Sequence, residues 1–307
     1  MKLQSLAKTL ATADGAMEPC CSFACPVTSG RCDFRLLGKF RDRSGQSDLV
    51  AVYRCLRCGH AVTWPPIVDV AALYDDRGSQ DFQPESQGIA HFIKRVAFRG
   101  MMSKLLRQLG QAPDSVLDFG CGSGQFTRAL GDLLPNTRVT GSDFHSSPPP
   151  ELADRPYAAM SQLKSMAGQF DIVIALHVLE HDDDPLALLD RIIASVHSGG
   201  TVVIEVPNID CVWVQPFGRF WDGWYLPYHR HHFNRGSLIA LANRAGLDIV
   251  AVHGVSVPTM GRTLANIFNA RNSLPFLLAG VALHPLQLLG EALTNRPSAI
   301  RLIARKR

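Results

Sequence analysis

The chain reads as an α/β protein built on an open sheet, preceded by a small cysteine-bearing module. Two observations carry this reading. Between residues 115 and 206, short apolar runs ending in acidic or glycine-rich turns alternate with helical patterns, at the spacing of βαβ units. Six of the eight cysteines (Cys20, Cys21, Cys25, Cys32, Cys55 and Cys58) stand before residue 60.

From the start of the chain, residues 1–18 read as a flexible leader, 19–75 as the cysteine module, 76–112 as a connector and 113–307 as the main domain. The first sixteen residues lack a continuous apolar core and a cleavage pattern, so a cytoplasmic location is expected. In that setting clustered cysteines favour a metal over disulfides. Within the module, 33–40 and 48–55 are strand-like. Cys55-Leu-Arg-Cys58-Gly-His60 forms a knuckle whose glycine allows the chain to turn tightly around a metal. In the connector, Ile89, Phe92, Ile93, Val96, Ala97, Met101, Leu105 and Leu109 recur at helical spacing.

The main domain opens with Ser115-Val-Leu-Asp118-Phe-Gly120-Cys121-Gly122-Ser-Gly124, a strand, a glycine turn and then a helix over 124–134. Glycines let the backbone approach a ligand where a Cβ would clash, and the helix N-terminus aims its amides over the turn. A dinucleotide site needs G-x-G-x-x-G to receive a pyrophosphate. Here the spacing is G-x-G-x-G, and Asp118, just before the first glycine, repels phosphate but suits an ammonium. The next strand, 138–143, ends in Asp143, about 20 residues past the glycines, where a ribose-binding carboxylate belongs. A short strand near 157–160 and a strand at 170–176 follow. The latter runs into His177-Val-Leu-Glu180-His181-Asp-Asp-Asp184-Pro185 and a helix over 185–197. The remaining pattern is a strand at 200–206, a helix over 238–245 closed by Gly246, a strand at 247–252, apolar helix over 262–293 and a last strand at 299–304.

These segments carry a resemblance. Val116 to Gly124 resembles the first motif of the class I S-adenosylmethionine-dependent methyltransferases, and Leu179, Glu180, His181, Asp184 and Pro185 match their Leu-Glu-His-x-x-Asp-Pro turn. The resemblance implies a Rossmann-like sheet, mostly parallel with the last strand antiparallel, that binds S-adenosyl-L-methionine. It implies that Asp118 and the loop of Gly120, Cys121, Gly122 and Gly124 hold the methionine part. Asp143 would hold the ribose, and the adenine would lie near Phe144 and the turn after Met160. The cysteine module resembles the zinc-binding domain found ahead of some of these enzymes, with a Cys-Pro-x-Cys knuckle, two strands and a Cys-x-x-Cys-Gly knuckle. Cys25-Pro-Val-Thr28 departs from it, carrying Thr where a ligand belongs. A tetrahedral zinc needs four ligands, so Cys25, Cys55 and Cys58 would be joined by Cys21 or by Cys32 folding back.

Methyl transfer to a hydroxyl or carbon acid needs a base, and histidine has the suitable pKa. His229 or His232, in the aromatic loop Trp221-Asp-Gly-Trp-Tyr-Leu-Pro227-Tyr228-His229-Arg-His-His232-Phe233, is the expected base, with His181 behind. Each also reads as a loop anchor, and His231 as a solvated neighbour. Relatives often show Pro-Arg-His-x-x-His-Phe here; Tyr228 replaces the Arg. A metal on this H-x-H-H run is disfavoured, since no carboxylate is near in sequence. Trp213, Phe217, Phe220, Trp221, Trp224 and Tyr225 read as a lid over the acceptor or as a plug beneath a loop.

Composition sets bounds. Apolar residues make up 46% and charged residues 19%, enough for a real core. A net charge of +4, with no basic run among the aromatics, does not point to nucleic acid. After Asp248 the one acidic residue is Glu291 against seven basic ones. That apolar, basic end suits weak peripheral contact with an anionic membrane or a solvated tail. The run 274–283 is too short and too broken by Pro and Gly to span a membrane, while 275–293 suits an interfacial helix. The expected activity is methyl transfer to a small metabolite of the sugar, polyketide or quinone type. The alternatives are a catalytically silent scaffold of the same fold and an NAD-dependent nucleotide-sugar enzyme.

Overall fold

The computed structural model describes residues 20–41, 49–65, 100, 102–108, 113–270 and 273–307, with the backbone alone at 20–23 and 41. The leader lies outside these residues, as does the connector apart from Gly100 and the helical stretch 102–108. Met102 and Leu105 of that stretch are fully buried against Val116, Ile172 and Ile303.

The larger sheet has seven strands in the order β11-β12-β9-β8-β5-β6-β7. Its parallel part comprises β5 (Ser115–Phe119), β6 (Arg138–Asp143), β7 (Tyr157–Ala159), β8 (Phe170–Leu176) and β9 (Val196–Pro207). Helices α1 (Gln125–Leu133) and α2 (Pro185–Ser195) connect them. β8 and the second half of β9 read as near-continuous apolar runs because parallel sheets are covered on both faces. Strand order reverses at β5, whose neighbours are β6 and β8. Ligands bind beyond the carboxyl ends of the strands at such a switch point, and both functional turns leave the sheet there.

Strand β12 (Ala299–Lys306) inserts antiparallel between β9 and β11 (Leu247–Val255). The basic end is therefore not a solvated tail. Arg301 is buried, directly across from Glu205, and the Lys306 ammonium donates to the Val196 carbonyl at 2.7 Å. Helix α3 (Arg235–Arg244) precedes β11 and is followed by Gly246 at φ 76°, the left-handed position that closes helices.

The expected apolar helix is two helices, α4 (Met260–Ile267) and α5 (Leu274–Thr294). They meet at Gly261, where a Cβ would lie 2.5 Å from the Phe276 carbonyl oxygen. α5 continues through Pro285 rather than breaking. Its buried side is tied down: Gln287 Nε2 donates to the Val257 carbonyl and to Glu291 Oε1, both at 2.7 Å. Tertiary contacts thus outweigh the breaker. The opposite side exposes Leu278, Leu286, Leu289 and Leu293. By length and composition α5 is long and apolar enough to cross a membrane, with mean hydropathy 1.5 and 17% of its apolar window buried.

The N-terminal sheet runs β1-β2-β3-β4-β10, all antiparallel, from β1 (Cys20–Ala24), β2 (Arg31–Arg41), β3 (Leu49–Cys55), β4 (Ala61–Trp64) and β10 (His231–His232). The fifth strand comes from the histidine loop, so the two sheets are stitched together. One core cluster accordingly joins Phe34, Tyr53 and Val62 to Phe233, Leu238 and Leu241. A second packs Phe40, Val50 and Val52 under Trp221, Trp224 and Leu226. Trp221 and Trp224 are buried; they plug the seam between the sheets.

Candidate active site

The glycine turn after β5 is held by the backbone of β6. The amides of Gly120 and Cys121 both donate to the Ser142 carbonyl, at 2.8 and 2.9 Å. Gly120 and Gly124 have φ of 78° and 79°, a region that L side chains avoid. A Cβ on Gly120 would lie 2.5 Å from Val178 Cγ2, and one on Gly124 2.6 Å from Leu152 Cγ. The turn therefore needs glycine both for its shape and for its neighbours. Two carboxylates face it. Asp143 Oδ2 accepts from the Gly122 amide and Oδ1 from the Phe144 amide, each at 2.8 Å. Asp118 accepts from the Thr127 hydroxyl at 2.5 Å. Burial, reinforced by the charge of Asp143, raises the Asp118 pKa to about 7 although the Thr127 bond opposes it. Two acids around one glycine turn fit an ammonium and a ribose, and do not fit a pyrophosphate. Cys121 is buried and its thiol is pushed up by burial, which suits a space-filling residue rather than a nucleophile. Phe144 is exposed, at the edge of this turn.

After β8 the chain turns at His177, a non-glycine residue at φ 56°. Each residue of the Leu-Glu-His-x-x-Asp-Pro pattern has a local task. Leu179 is core, the Asp184 side chain accepts from the Ala187 amide as the N-cap of α2, and Pro185 takes the first helical position. Glu180 is fully buried. His177 lies between two carboxylates, Nδ1 3.3 Å from Glu180 Oε1 and Nε2 3.3 Å from Glu205 Oε1. Burial opposes its protonation, but the two carboxylates prevail and raise its pKa to about 10. Glu205 is in turn bound by Arg301, whose Nε donates to Oε2 at 2.7 Å. Burial works against the Glu205 charge, and His177 and Arg301 hold its pKa below the usual carboxylate range.

The histidine loop folds onto this turn. The Arg230 amide donates to the Glu180 carbonyl at 2.8 Å, His181 Nδ1 lies 3.1 Å from the Tyr228 carbonyl, and Arg230 pairs with Asp183. His229 Nε2 stands 3.8 Å from Glu180 Oε1, and its Nδ1 3.0 Å from the Gly223 carbonyl. Burial, then repulsion from His181, keeps His229 neutral. The structure thus brings His181, His229, His177 and Glu180 together and takes the other two histidines elsewhere. His232 is buried in β10 with Nε2 2.9 Å from the Thr63 hydroxyl. That hydroxyl donates to the His229 carbonyl, so His232 Nε2 is itself a donor and acts as a loop anchor. His231 is not solvated as expected. It is buried, with Nδ1 3.0 Å from His60 Nε2, because adjacent strand residues point to opposite sides.

The cysteine cluster assembles with Cys32. The sulfurs of Cys25, Cys32 and Cys55 lie within 4.8 Å of one another, and Cys25 Sγ is 3.6 Å from Cys58 Sγ. Four thiolates about 2.3 Å from a tetrahedral zinc would stand about 3.8 Å apart, so Cys25, Cys32 and Cys55 are gathered as a metal would require, with Cys58 beside Cys25 as the candidate fourth donor. The turn Cys25–Gly30, closed by the Cys25 amide on the Gly30 carbonyl at 3.0 Å, reverses the chain and delivers Cys32 on β2. That return is why Cys32 stands where Thr28 had left a gap. Cys21 keeps its backbone in β1 opposite Phe34, and its side chain is outside the described residues.

Sequence reasoning passed over Glu205, Arg301, His60 and Thr63 as parts of this site. A signal existed for the first two: each is the one charge in an apolar run, 202–206 and 299–304, and opposite charges in two strands of one sheet are candidates for a pair. His60 and Thr63 gave none.

A family described as a methyltransferase domain matches residues 90–252. The chain is 28% identical over 164 residues to ubiquinone biosynthesis O-methyltransferase of Pseudomonas aeruginosa (strain UCBPP-PA14), covering 48% of this chain and 70% of that one. It is 31% identical over 102 residues to the mitochondrial ubiquinone biosynthesis O-methyltransferase of Saccharomyces cerevisiae, covering 30% and 33%. Among solved structures it is similar to 1,6-didemethyltoxoflavin-N1-methyltransferase of Burkholderia thailandensis, with 19% identity, a TM-score of 0.48, and coverage of 82% and 97%. The family match spans more than half of the chain and contains both functional turns: the chain belongs to the class I S-adenosylmethionine-dependent methyltransferases.

Proposed function

We propose that this methyltransferase moves the methyl group of S-adenosyl-L-methionine to an oxygen of a small metabolite held over the turn after β8. The observation that carries the reading is the pair of carboxylates, Asp118 and Asp143, around a glycine turn that abuts Val178. S-adenosylmethionine supplies a methyl already activated on sulfonium, so the chain's task is alignment and proton management. Asp118 receives the α-ammonium, Asp143 the ribose hydroxyls, and Phe144 the edge of the adenine. His181 and His229 face the acceptor, and their neutral imidazoles are the groups suited to take its proton; His232 serves the loop as an anchor. The oxygen acceptor is supported by the O-methyltransferase names of the relatives, and a quinone-type phenol fits that support better than a sugar. The cysteine cluster is a structural zinc site of Cys25, Cys32, Cys55 and Cys58.

Calorimetry tests the reading: micromolar binding of S-adenosylmethionine and none of NAD is expected, while binding of neither returns the chain to a scaffold. The exposed leucines of α5, in a stretch of sequence that also carries the exposed Arg262 and Arg296, support peripheral contact with an anionic membrane from a cytoplasmic location. Co-sedimentation with phosphatidylglycerol vesicles that survives Leu286→Glu/Leu289→Glu would count against it.

A further inference from the structure

We infer that the cysteine module is a working part of the acceptor site: Thr63 positions His229 and ties the histidine loop to the metal state of the cysteine cluster. The loop's own strand, β10, is two residues long. Such a strand is too short to persist without the strand it pairs with, and that partner is β4 of the module. Thr63 supplies the grip. Its hydroxyl donates to the His229 carbonyl at 2.6 Å, and its amide donates to the Arg230 carbonyl at 3.0 Å. The hydroxyl oxygen accepts from His232 Nε2 at 2.9 Å. One buried residue thus fixes the two successive peptide carbonyls at the base of the His229 side chain.

The cysteine turns set where Thr63 stands. Cys55–His60 is closed on itself, the Cys55 amide on the His60 carbonyl at 2.7 Å and the Gly59 amide on the Cys55 carbonyl at 3.0 Å. β4 begins at the next residue, Ala61. His60 adds a second link, with Nε2 3.0 Å from His231 Nδ1. His231 Nε2 lies 3.3 Å from the Asp183 carbonyl, which can only accept. Burial lowers the His231 pKa to about 4, so the neutral ring carries its proton on Nε2 and receives one from His60 on Nδ1. The module also holds both ends of α3, the helix that follows the loop. The Cys58 carbonyl stands 3.4 Å from Nδ2 of Asn234, the N-cap of α3, and a Cβ on Gly59 would collide with that same atom. In the last turn of α3, Arg244 Nη1 donates to the Pro26 carbonyl at 2.7 Å, next to Cys25. A metal that draws Cys25 and Cys58 together therefore fixes the frame in which the loop and its helix sit.

The inference rests on the proposed function, in which His229 faces the acceptor and the four cysteines hold zinc. With the metal bound, β4 is pinned and His229 is held at its backbone. With it removed, the knuckle loosens and the imidazole loses its placement. The glycine turn, held instead by the Ser142 carbonyl of β6, keeps its shape. A displacement of about 1 Å in a group that handles the chemistry costs about a hundredfold in rate. Loss of zinc would thus silence methyl transfer without emptying the cofactor turn.

Hydrogen exchange followed by mass spectrometry on the full-length protein tests this, comparing chelated protein with the same protein reloaded with Zn2+. Exchange over residues 226–234 should slow about tenfold on reloading, the net worth of one hydrogen bond. Residues 115–143 and the affinity for S-adenosylmethionine should stay unchanged. Thr63→Val should leave the loop in fast exchange even in the presence of Zn2+, and Thr63→Ser, which keeps the hydroxyl, should retain the protection. Chelated and reloaded proteins that exchange alike over 226–234 would overturn the coupling. So would a Thr63→Val protein as protected as wild type, or a loss of protection spread evenly over both sheets. Failure of the wild type to bind S-adenosylmethionine would sink the proposed function and leave the exchange result standing.

Discussion

Asp118 makes the cofactor pocket sensitive to pH in a direction that can be computed. Its pKa is raised by burial from 3.8 to about 7, a difference of about 3 units or about 4 kcal/mol between its protonation states. The sign follows from linkage. Between these two pH values the folded, ligand-free protein holds a proton that the unfolded chain has lost. The contribution of Asp118 to stability is therefore greatest at low pH and declines as pH rises to about 7. With the ammonium assigned to Asp118 as proposed, cofactor binding should reverse the preference, because an α-ammonium requires the carboxylate. That ammonium stays charged below about pH 7.7. With binding confined to ionised Asp118, the apparent Kd scales as one plus the protonated-to-ionised ratio, about 2 at pH 7 and about 33 at pH 5.5. Affinity for S-adenosylmethionine should thus fall about fifteenfold between these values. Isothermal calorimetry over this range measures it. Asp118→Asn should flatten the profile and weaken binding at pH 7 by the loss of a charge-assisted hydrogen bond, about 1.5–3 kcal/mol. A wild-type affinity that does not change from pH 7 to 5.5 refutes the assignment of the ammonium to Asp118.

Three further outcomes are expected. Gly120→Ala combines a left-handed residue, about 1–2 kcal/mol, with a 2.5 Å contact on Val178, about 1–3 kcal/mol. Thermal unfolding should show a Tm lower by several degrees together with lost cofactor binding, and an unchanged Tm would contradict the packing described. Arg301→Met strands the buried Glu205 with His177 as its remaining partner, a loss of about 3 kcal/mol; adding Glu205→Gln should restore much of it, and a double-mutant cycle without coupling would refute the pairing. Cys32→Ser should remove zinc from protein purified without added metal, whereas retained zinc would return the fourth ligand to another residue.

Much of the fold was legible because its signals are local. The strand–turn–helix at 115–133 needs only an apolar run, three glycines and a helical pattern, and the cap at Asp184-Pro185 needs only two neighbours. The larger departures came where distant contacts decide the outcome. The apolar stretch 262–293 is two helices that meet at Gly261 rather than one. His231 is buried against His60 rather than solvated, because β10 pairs with β4.

By itself, then, the sequence determined the order of elements, the glycine turn and the two carboxylates beside it, since each depends on backbone conformation within a few residues. Only the tertiary structure decided which histidines gather at the turn after β8. His231 and His232 are consecutive, yet alternation along β10 sends one to His60 and the other to Thr63. His229, just before the strand, turns to Glu180. Glu205 meets Arg301 through sheet register, 96 residues along the chain. Such meetings depend on which strands pair and where loops close, and residues that are neighbours only in space leave no periodicity to read.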